Sequence, residues 1–407
     1  MLAHKIKNAY YRGGLKEVFH GACRLGIETA IGPRGNISID GRQFLYRDKI
    51  SNSTDEVENY WELPVKDGLE PLRESESKNP FDSTQEQMEF VQTRQYSYRP
   101  DFVCEVSDVR LLGPSGMGVT KNKKILSDSI TMPNQPSRIQ GAIQRGYIHN
   151  PLLTAETLHT TWRSSWRSSQ TLDCACSLFN SWNNYYHWIL EHLPKLRAVK
   201  FYKKRTGTMP TLIIPDNPPS FITETLEMLG FDPEDCIQWD SPAMDIERLI
   251  LPGFPEANPM NLHWLRENLR TYDGSSTNLP SRIYISRKKA PKRRIENESE
   301  LVSLLSKYGF ERVLAEELSV KDQIRLFSNA DVIIGQHGAG LTNMLWADDA
   351  TIFEMHNEVI VDHYYVLANN LGHEYVPISA ESKNPDNIHS DMVINIEDIN
   401  QSLSGHV

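Results

Sequence analysis

The sequence predicts an α/β protein: two Rossmann-like lobes facing a cleft, behind an irregular, β-containing N-terminal region. Three observations predict it. Short apolar runs bounded by turn residues alternate with helical patterns from about residue 170 onward, as expected of parallel strands covered on both faces. The alternation occurs in two units, one from about residue 170 and a clearer one in the last third. The 407 residues also exceed one domain at roughly 150 residues each. The expected divisions are 1–150 for the N-terminal region, 151–278 for the first lobe and 279–407 for the second.

Each element has its own warrant. Residues 32–100 are polar and rich in Ser, Asn, Asp, Glu and Pro, so loop and short strand are expected, with 66–88 exposed and mobile. Residues 102–113 (FVCEVSDVRLLG) and 123–132 (KKILSDSITM) alternate and predict strands. A helix is expected near Asn184 to Lys204, kinked or restarted at Pro194. Then come a strand at Thr211–Pro215, a helix at Ser220–Leu229 and a strand at Arg248–Pro252. The second block predicts strands at Arg282–Ser286, Phe310–Leu314, Asp331–Gly335, Thr351–Met355 and Glu374–Ile378. Helices at Asn297–Tyr308, Ser319–Asn329, Ala339–Trp346 and Val359–Leu371 separate them, with Ser319 as an N-cap and Asp322 at N3.

Composition narrows the function classes. Hydrophobic residues are 39% and charged residues 24%, a folded globular balance. A net charge of −10 disfavours a globally basic nucleic-acid binder. The cysteines Cys23, Cys104, Cys174, Cys176 and Cys236 show neither zinc-knuckle nor C-x-x-C spacing. They are expected to be reduced and structural, which favours a cytosolic face. No apolar run approaches the ~20 residues of a transmembrane helix, and the start lacks the apolar core of a signal peptide. Residues 5–26 mix Tyr10, Leu15, Phe19 and Leu25 with Lys5, Lys7, Arg12, Lys16 and Arg24. That pattern fits a basic amphipathic helix on an anionic membrane surface. An ordinary docked surface helix fits it equally, and Gly13-Gly14 weakens any helix there. The expected location is cytoplasmic, on the cytoplasmic membrane face if that helix forms.

Three segments carry chemistry. Gly335-Gln-His-Gly-Ala-Gly-Leu-Thr-Asn343 lies where a strand ends and a helix begins, the edge where parallel sheets bind ligands. Gly338 and Gly340 allow close backbone approach, His337 and Thr342 add donors, and the helix start favours an anion such as a phosphate or pyrophosphate. Two close glycines also serve tight turns or helix–sheet packing. Neither a Walker A loop nor a dinucleotide G-x-G-x-x-G is present. Residues 281–294 concentrate Arg282, Arg287, Lys288, Lys289, Lys292, Arg293 and Arg294 at a strand exit, which suits a diphosphate; a solvated basic loop is the alternative. Asn184, His187, Glu191 and Lys195 fall on one helical stripe. A histidine oriented by an i+4 carboxylate can serve as a general base, although exposed i,i+4 pairs look the same. Trp182, Tyr185, Tyr186 and Trp188 around it suit sugar stacking or a core.

Taken together, these motifs resemble glycosyltransferase family 61. The resemblance rests on Asn184-Tyr185-Tyr186-His187 with Leu193-Pro194, on Tyr284-Ile285-Ser286-Arg287, on Arg293-Arg294-Ile295-Glu296-Asn297-Glu298, and on Gly335 to Asn343. It covers about residues 180–380. It implies a GT-B fold, a nucleotide-sugar donor, inversion at the anomeric carbon and no metal or other cofactor; no Asp-x-Asp occurs in the chain. The implied roles follow. His187 is the candidate base, or instead binds diphosphate or acceptor, and Glu191 orients it. Asn184, Tyr185 and Lys195 serve the acceptor or orientation in the first lobe. Donor binding falls to Arg287, Arg293, Arg294, Asn297, His337, Gly338, Ala339, Gly340, Leu341, Thr342, Asn343 and Glu354, with Asn297 and Glu354 toward the sugar or nucleoside.

The expected partners are a nucleotide-sugar and a glycan or lipid-linked glycan, with peripheral membrane contact and no nucleic acid. Eukaryotic family members act in the secretory pathway behind an N-terminal anchor, and this chain shows none. It therefore looks more like a prokaryotic enzyme of capsule, exopolysaccharide or glycolipid assembly. The alternatives are another polysaccharide-modifying transferase, such as a pyruvyl or sulfate transferase, or a non-catalytic nucleotide- or glycan-binding protein.

Overall fold

The structure is a computed structural model. It describes residues 44–45, 50, 55–65, 98, 100–113, 115–122, 124–130, 171–180, 182–241, 243–270, 279–357, 361–384 and 387–406. The basic segment 5–26, the polar stretch 66–88 and Cys23 lie outside these residues. Among the described residues no helix is long and apolar enough to cross a membrane, and Cys104, Cys174, Cys176 and Cys236 are free.

The chain is a mixed α/β protein with two sheets rich in parallel strands. The first contains β1 (Phe44–Leu45), β2 (Val57–Glu62), β3 (Phe102–Leu112), β4 (Met117–Val119), β5 (Ile125–Leu126), β6 (Thr171–Ser177), β7 (Thr211–Pro215), β8 (Ile237–Trp239) and β9 (Ala243–Pro252). Their order is β1-β5-β4-β3-β9-β6-β7-β8, with β2 also paired to β3. Strands β9, β6, β7 and β8 run parallel. The long β3 joins them antiparallel, in register from Val103↔Pro252 to Leu112↔Ala243. Strands from either side of residue 150 thus share one sheet.

The second sheet holds β10 (Arg282–Ile285), β11 (Glu311–Val313), β12 (Val332–Gln336), β13 (Thr351–His356) and β14 (Glu374–Ser379), in the order β11-β10-β12-β13-β14. All pairs are parallel. Strand β12 is buried at every position, which is why its sequence is a continuous run rather than an alternation. The order reverses between β10 and β12, and the topology of such sheets puts the expected ligand crevice outside their C-terminal ends. The two chain segments that leave those ends are the basic exit after Ile285 and the glycine loop after Gln336.

Helix starts follow their caps. Asn258 accepts from the backbone N–H of Asn261 at the start of the helix Pro259–Leu269. Ser319 does the same for Asp322 in the helix Val320–Phe327, as its sequence predicts. Two elements differ from expectation. The run at 123–132 forms only β5 and a 3-10 turn, Ser127–Ser129. There Ser129 Oγ donates to the Leu126 carbonyl at 2.7 Å and accepts from Gly118 N at 2.9 Å, local bonds that end the strand. The expected helix near 184–204 is divided. A short α segment, Tyr185–His187, opens into a π-turn at Trp188–His192, and a regular helix restarts at Lys195–Thr206. Pro194 has no N–H to offer the preceding turn, and Leu193 N donates to Trp188 O at 2.8 Å, the wider i→i+5 bond.

One buried apolar cluster runs from Leu196, Val199 and Ile250 to Ile283, Leu341 and Ile352. It therefore packs elements of both sheets together. Tyr185 crosses the same junction, its hydroxyl donating to Asn343 Oδ1 at 3.0 Å.

Candidate functional site

The crevice at the β10/β12 reversal is built from the two loops. Arg287 follows the end of β10 and lies against Gly338: a Cβ on Gly338 would sit 2.9 Å from Arg287 Cζ and overlap its terminal nitrogen. Only a glycine leaves the guanidinium room. Arg287 Nη2 donates to the Lys292 carbonyl at 3.1 Å. Arg293 holds a left-handed backbone, φ 58°, a conformation rare outside glycine and concentrated at functional positions. The Nε atoms of Arg287 and Arg293 are both buried with no hydrogen-bond partner. An unpaired buried donor on a cation is expensive, and two of them beside a glycine loop suit the chemistry of an anion.

The glycine loop supports that reading. His337 N bonds to the Met355 carbonyl at 3.0 Å, and Leu341 N bonds back to Gly338 O at 2.9 Å. The following helix, Ala339–Trp346, is of the tight 3-10 type, and a helix start leaves its first N–H groups without intrahelical partners. A Cβ on Gly340 would meet Ile285 Cγ2 at 2.8 Å, so this glycine serves close packing of the loop on β10.

His337 records the local field. Burial, reinforced by the charges of Arg293 and Arg287, pushes its pKa down to about 3. Its Nδ1 bonds Glu354 Oε1 at 2.6 Å. Glu354 is fully buried, accepts from Tyr375 Oη at 2.8 Å, and lies 3.5 Å from His356 Nε2. Burial raises the Glu354 pKa. Glu354 thus bonds His337 and fixes its ring. His337, Glu354 and His356 bring ligand atoms within 4.8 Å of one another and could by distance gather a metal ion. Their atoms are already bonded to each other and to Tyr375, and two arginine cations bear on His337. The residues fit a hydrogen-bonded support better than a cation site.

The polar stripe faces this region from the first half. Asn184 caps the short helix by accepting from His187 N at 3.2 Å. His187 Nδ1 bonds Glu191 Oε2 at 2.7 Å, leaving Nε2 as the outward nitrogen. Trp182 stacks on the His187 ring at 5.5 Å, and Tyr186 meets its edge at 5.2 Å. Tyr186 also packs on Tyr364, which packs on His337 at 5.2 Å. An aromatic wall, Tyr186 and Tyr364, therefore links the two histidines. Lys195 is buried beneath Glu191 and donates to the Ser177 carbonyl at 3.2 Å.

The sequence-derived residues thus divide. Arg287, Arg293, His337 and Gly338 to Gly340 meet at the crevice. Arg294 turns outward and pairs with Asp391 through Nη2 at 2.6 Å. Asn297 spends its side chain on the backbone of Ile394, at 2.9 and 3.0 Å. Leu341, Thr342 and Asn343 are buried; Asn343 also bonds Gln323 and Trp346. Sequence reasoning missed Tyr364, His356 and Tyr375. It also missed the link among Tyr284, Ser286 and Glu298: both hydroxyls donate to Glu298 Oε1, Tyr284 at 3.0 Å. That bond ties the strand to the helix start, and a polar residue at an otherwise apolar strand end was the available signal.

Comparison with known proteins follows the same loops. Residues 185–353 match the family model described as Glycosyltransferase 61. The chain is 38% identical over 96 residues to an EGF domain-specific O-linked N-acetylglucosamine transferase of Drosophila melanogaster, covering 23% of this chain and 18% of that protein. It is 35% identical over 108 residues to the Pan troglodytes protein of the same description, covering 25% and 20%. A Beta-1,2-xylosyltransferase of Arabidopsis thaliana is 43% identical over 75 residues, 17% of this chain and 14% of that protein. The chain thus spans about a fifth or less of the curated relatives it matches. The segment that carries the His187 turn, the basic strand exit and the glycine loop is thus the part of the chain similar to the glycosyltransferase 61 model.

Proposed function

We propose that the chain is an inverting, metal-independent glycosyltransferase that moves a sugar from a nucleotide-sugar to a hydroxyl of a glycan or lipid-linked glycan. The observation that carries this is the pair of buried, unpartnered guanidinium nitrogens of Arg287 and Arg293 beside the glycine loop at the sheet reversal. The donor diphosphate binds there, held by the two arginines, His337 and the first N–H groups of the helix Ala339–Trp346. As the glycosidic C–O bond breaks, its electron pair leaves with the diphosphate, and the arginines meet the developing charge. The acceptor oxygen attacks the anomeric carbon from the opposite face. His187 Nε2 takes the hydroxyl proton, while Glu191 holds Nδ1–H and stabilises the imidazolium.

The two lobes form a GT-B arrangement, with the donor on the second. The relatives' names differ in sugar, so the shared segment suits the transfer apparatus rather than one donor. A role in capsule, exopolysaccharide or glycolipid assembly fits a lipid-linked acceptor at a membrane surface. Among the described residues, the free cysteines Cys104, Cys174, Cys176 and Cys236 suit a reducing, cytoplasmic site. A thermal-shift panel of UDP-, GDP-, CMP- and dTDP-sugars tests the reading. One nucleotide class should stabilise the wild type, lose its effect in Arg287→Ala and keep it in His187→Ala. No stabilisation by any of them would overturn it.

A further inference from the structure

Four aromatic residues surround the candidate base, and the mechanism above uses none of them. Three have structural duties. Trp188 is buried, and its Nε1 donates to Thr225 Oγ1 at 2.8 Å. Tyr186 is buried and packs on His363 and Tyr364. Tyr185 is bonded to Asn343 across the junction of the sheets. Trp182 differs from these. It is only half-buried, yet its backbone is pinned on both sides. Its N–H donates to Asn180 Oδ1 at 2.8 Å, and its carbonyl accepts from His192 Nε2 at 3.2 Å. Asn180 and His192 are themselves buried. Asn180 Nδ2 donates in turn to the Ile130 carbonyl at 3.0 Å. Burial holds the His192 pKa well below its ordinary value, so the ring is neutral and the carbonyl fixes its proton on Nε2. The indole packs against a small apolar cluster of Leu112, Met117, Ile130 and Ala243.

The ring contact gives this anchoring a direction. The Trp182 and His187 rings stack with centroids 5.5 Å apart and planes 24° from parallel. Rings stacked at that separation are offset and overlap only in part. Part of the indole surface therefore extends past the imidazole while staying beside it.

We infer that Trp182 is an acceptor-binding residue, whose exposed indole surface packs against a pyranose ring of the acceptor and so brings a hydroxyl of that sugar to His187 Nε2. The inference rests on the proposed function, with His187 as the base. A pyranose has an apolar C–H face and a polar rim, which matches a large, rigid, apolar indole. Such a contact sets the plane of the sugar ring and leaves its hydroxyls for the chemistry. A general base must meet its hydroxyl within about 2.6–3.2 Å, and a misplacement of about 1 Å can cost 100-fold in rate. That demand accounts for pinning a half-exposed side chain through buried Asn180 and His192. Trp182, Asn180, Leu112, Met117 and Ile130 all precede the matched segment 185–353. Acceptor choice can therefore vary through these residues while the transfer apparatus stays the same.

The test uses the full chain labelled with 5-fluorotryptophan and observed by fluorine NMR. The Trp182 resonance is assigned by its absence in Trp182→Phe, or in Trp182→Tyr if the first variant does not fold. The probes are the methyl pyranosides of glucose, galactose, N-acetylglucosamine and xylose at millimolar concentration. At least one should shift the Trp182 resonance and leave those of buried Trp188 and Trp346 in place. A Trp182 resonance that responds to none of them overturns the inference. Ligand-observed NMR then gives the affinity of the responding glycoside. Trp182→Ala should raise its Kd at least about tenfold and Trp182→Phe by less; an unchanged Kd in a folded Trp182→Ala chain overturns the inference equally. With that glycoside as acceptor, Trp182→Phe should raise acceptor KM and leave donor KM unchanged. The two readings fail separately. A glycoside-dependent shift with no stabilisation by any nucleotide-sugar leaves the sugar platform standing and removes the glycosyltransferase reading. Stabilisation by a nucleotide-sugar with a silent Trp182 does the reverse.

Discussion

Gly338→Ala separates anion binding from folding at a single atom. The added Cβ would lie 2.9 Å from Arg287 Cζ and 3.3 Å from its Nε, and would overlap the terminal nitrogen. Arg287 must swing away and give up its 3.1 Å bond to the Lys292 carbonyl. The backbone itself accepts alanine, because Gly338 is extended with φ 174° and ψ 162°. The three nearest atoms all belong to the Arg287 side chain, so the fold should keep its stability to within about 1 kcal/mol. A hydrogen bond to a charged group contributes about 1.5–3 kcal/mol. Losing one from Arg287 should therefore weaken binding of the stabilising nucleotide diphosphate about 10- to 100-fold. Calorimetric titration gives the affinity and urea unfolding the stability. Gly340→Ala is the control with the opposite profile. Its Cβ meets buried Ile285 Cγ2 at 2.8 Å, so about 1–3 kcal/mol of stability should be lost to overpacking. Wild-type affinity in Gly338→Ala would refute the placement of the diphosphate on Arg287.

Other expectations follow from the same contacts. Arg294 is paired with Asp391 outside the crevice, so Arg294→Ala should change donor Kd by less than about threefold, against a large loss in Arg287→Ala; equal losses would place the diphosphate elsewhere. Tyr185→Phe removes the 3.0 Å bond to Asn343 that joins the two halves, and the urea midpoint should report a loss of about 1 kcal/mol. His337 stays neutral to about pH 3, whereas an unfolded histidine takes a proton near pH 6.5. The unfolded chain then binds more protons between those values, so this group's stabilising contribution is complete above pH 6.5. It falls as pH drops toward 3, by up to about 1.4 kcal/mol per unit. Removing the Arg287 charge should raise the His337 pKa, and binding of a diphosphate should raise it further; a His337 resonance that titrates normally in the free wild type contradicts both.

The second sheet was legible because its strands are buried on both faces and its helices end on recognisable residues. Val332, Ile333 and Ile334 run apolar without alternation, and Ser319 announces its helix. The crevice was legible because glycines and arginines crowd two strand exits. What stayed hidden depends on distant partners. No local pattern in Arg294 foretells Asp391, 97 residues on. Arg293 and Arg294 are chemically alike, and only the left-handed backbone of Arg293 sends one inward while the other faces out. Glu354 was placed toward the sugar or nucleoside from its position on the strand after the loop; its bonds to His337 and Tyr375 depend on partners that no local pattern names. The pairing of β3 with β9 joins residues about 140 apart, beyond any periodicity.

The π-turn at Trp188–His192 behaves as a one-residue insertion in an otherwise ordinary helix. Its downstream side is anchored by buried Leu196, Val199 and Tyr202, so the slack falls on the upstream side. Deleting one residue between Trp188 and His192 would restore a plain α-helical repeat and rotate everything before it by about 100°. His187 would leave its carboxylate, and Tyr185 would be carried off Asn343. The same extra residue that aims the candidate base thus also sets the seam between the halves, so a family of such chains could reposition its acceptor side by gaining or losing one residue at this turn without redesigning either sheet.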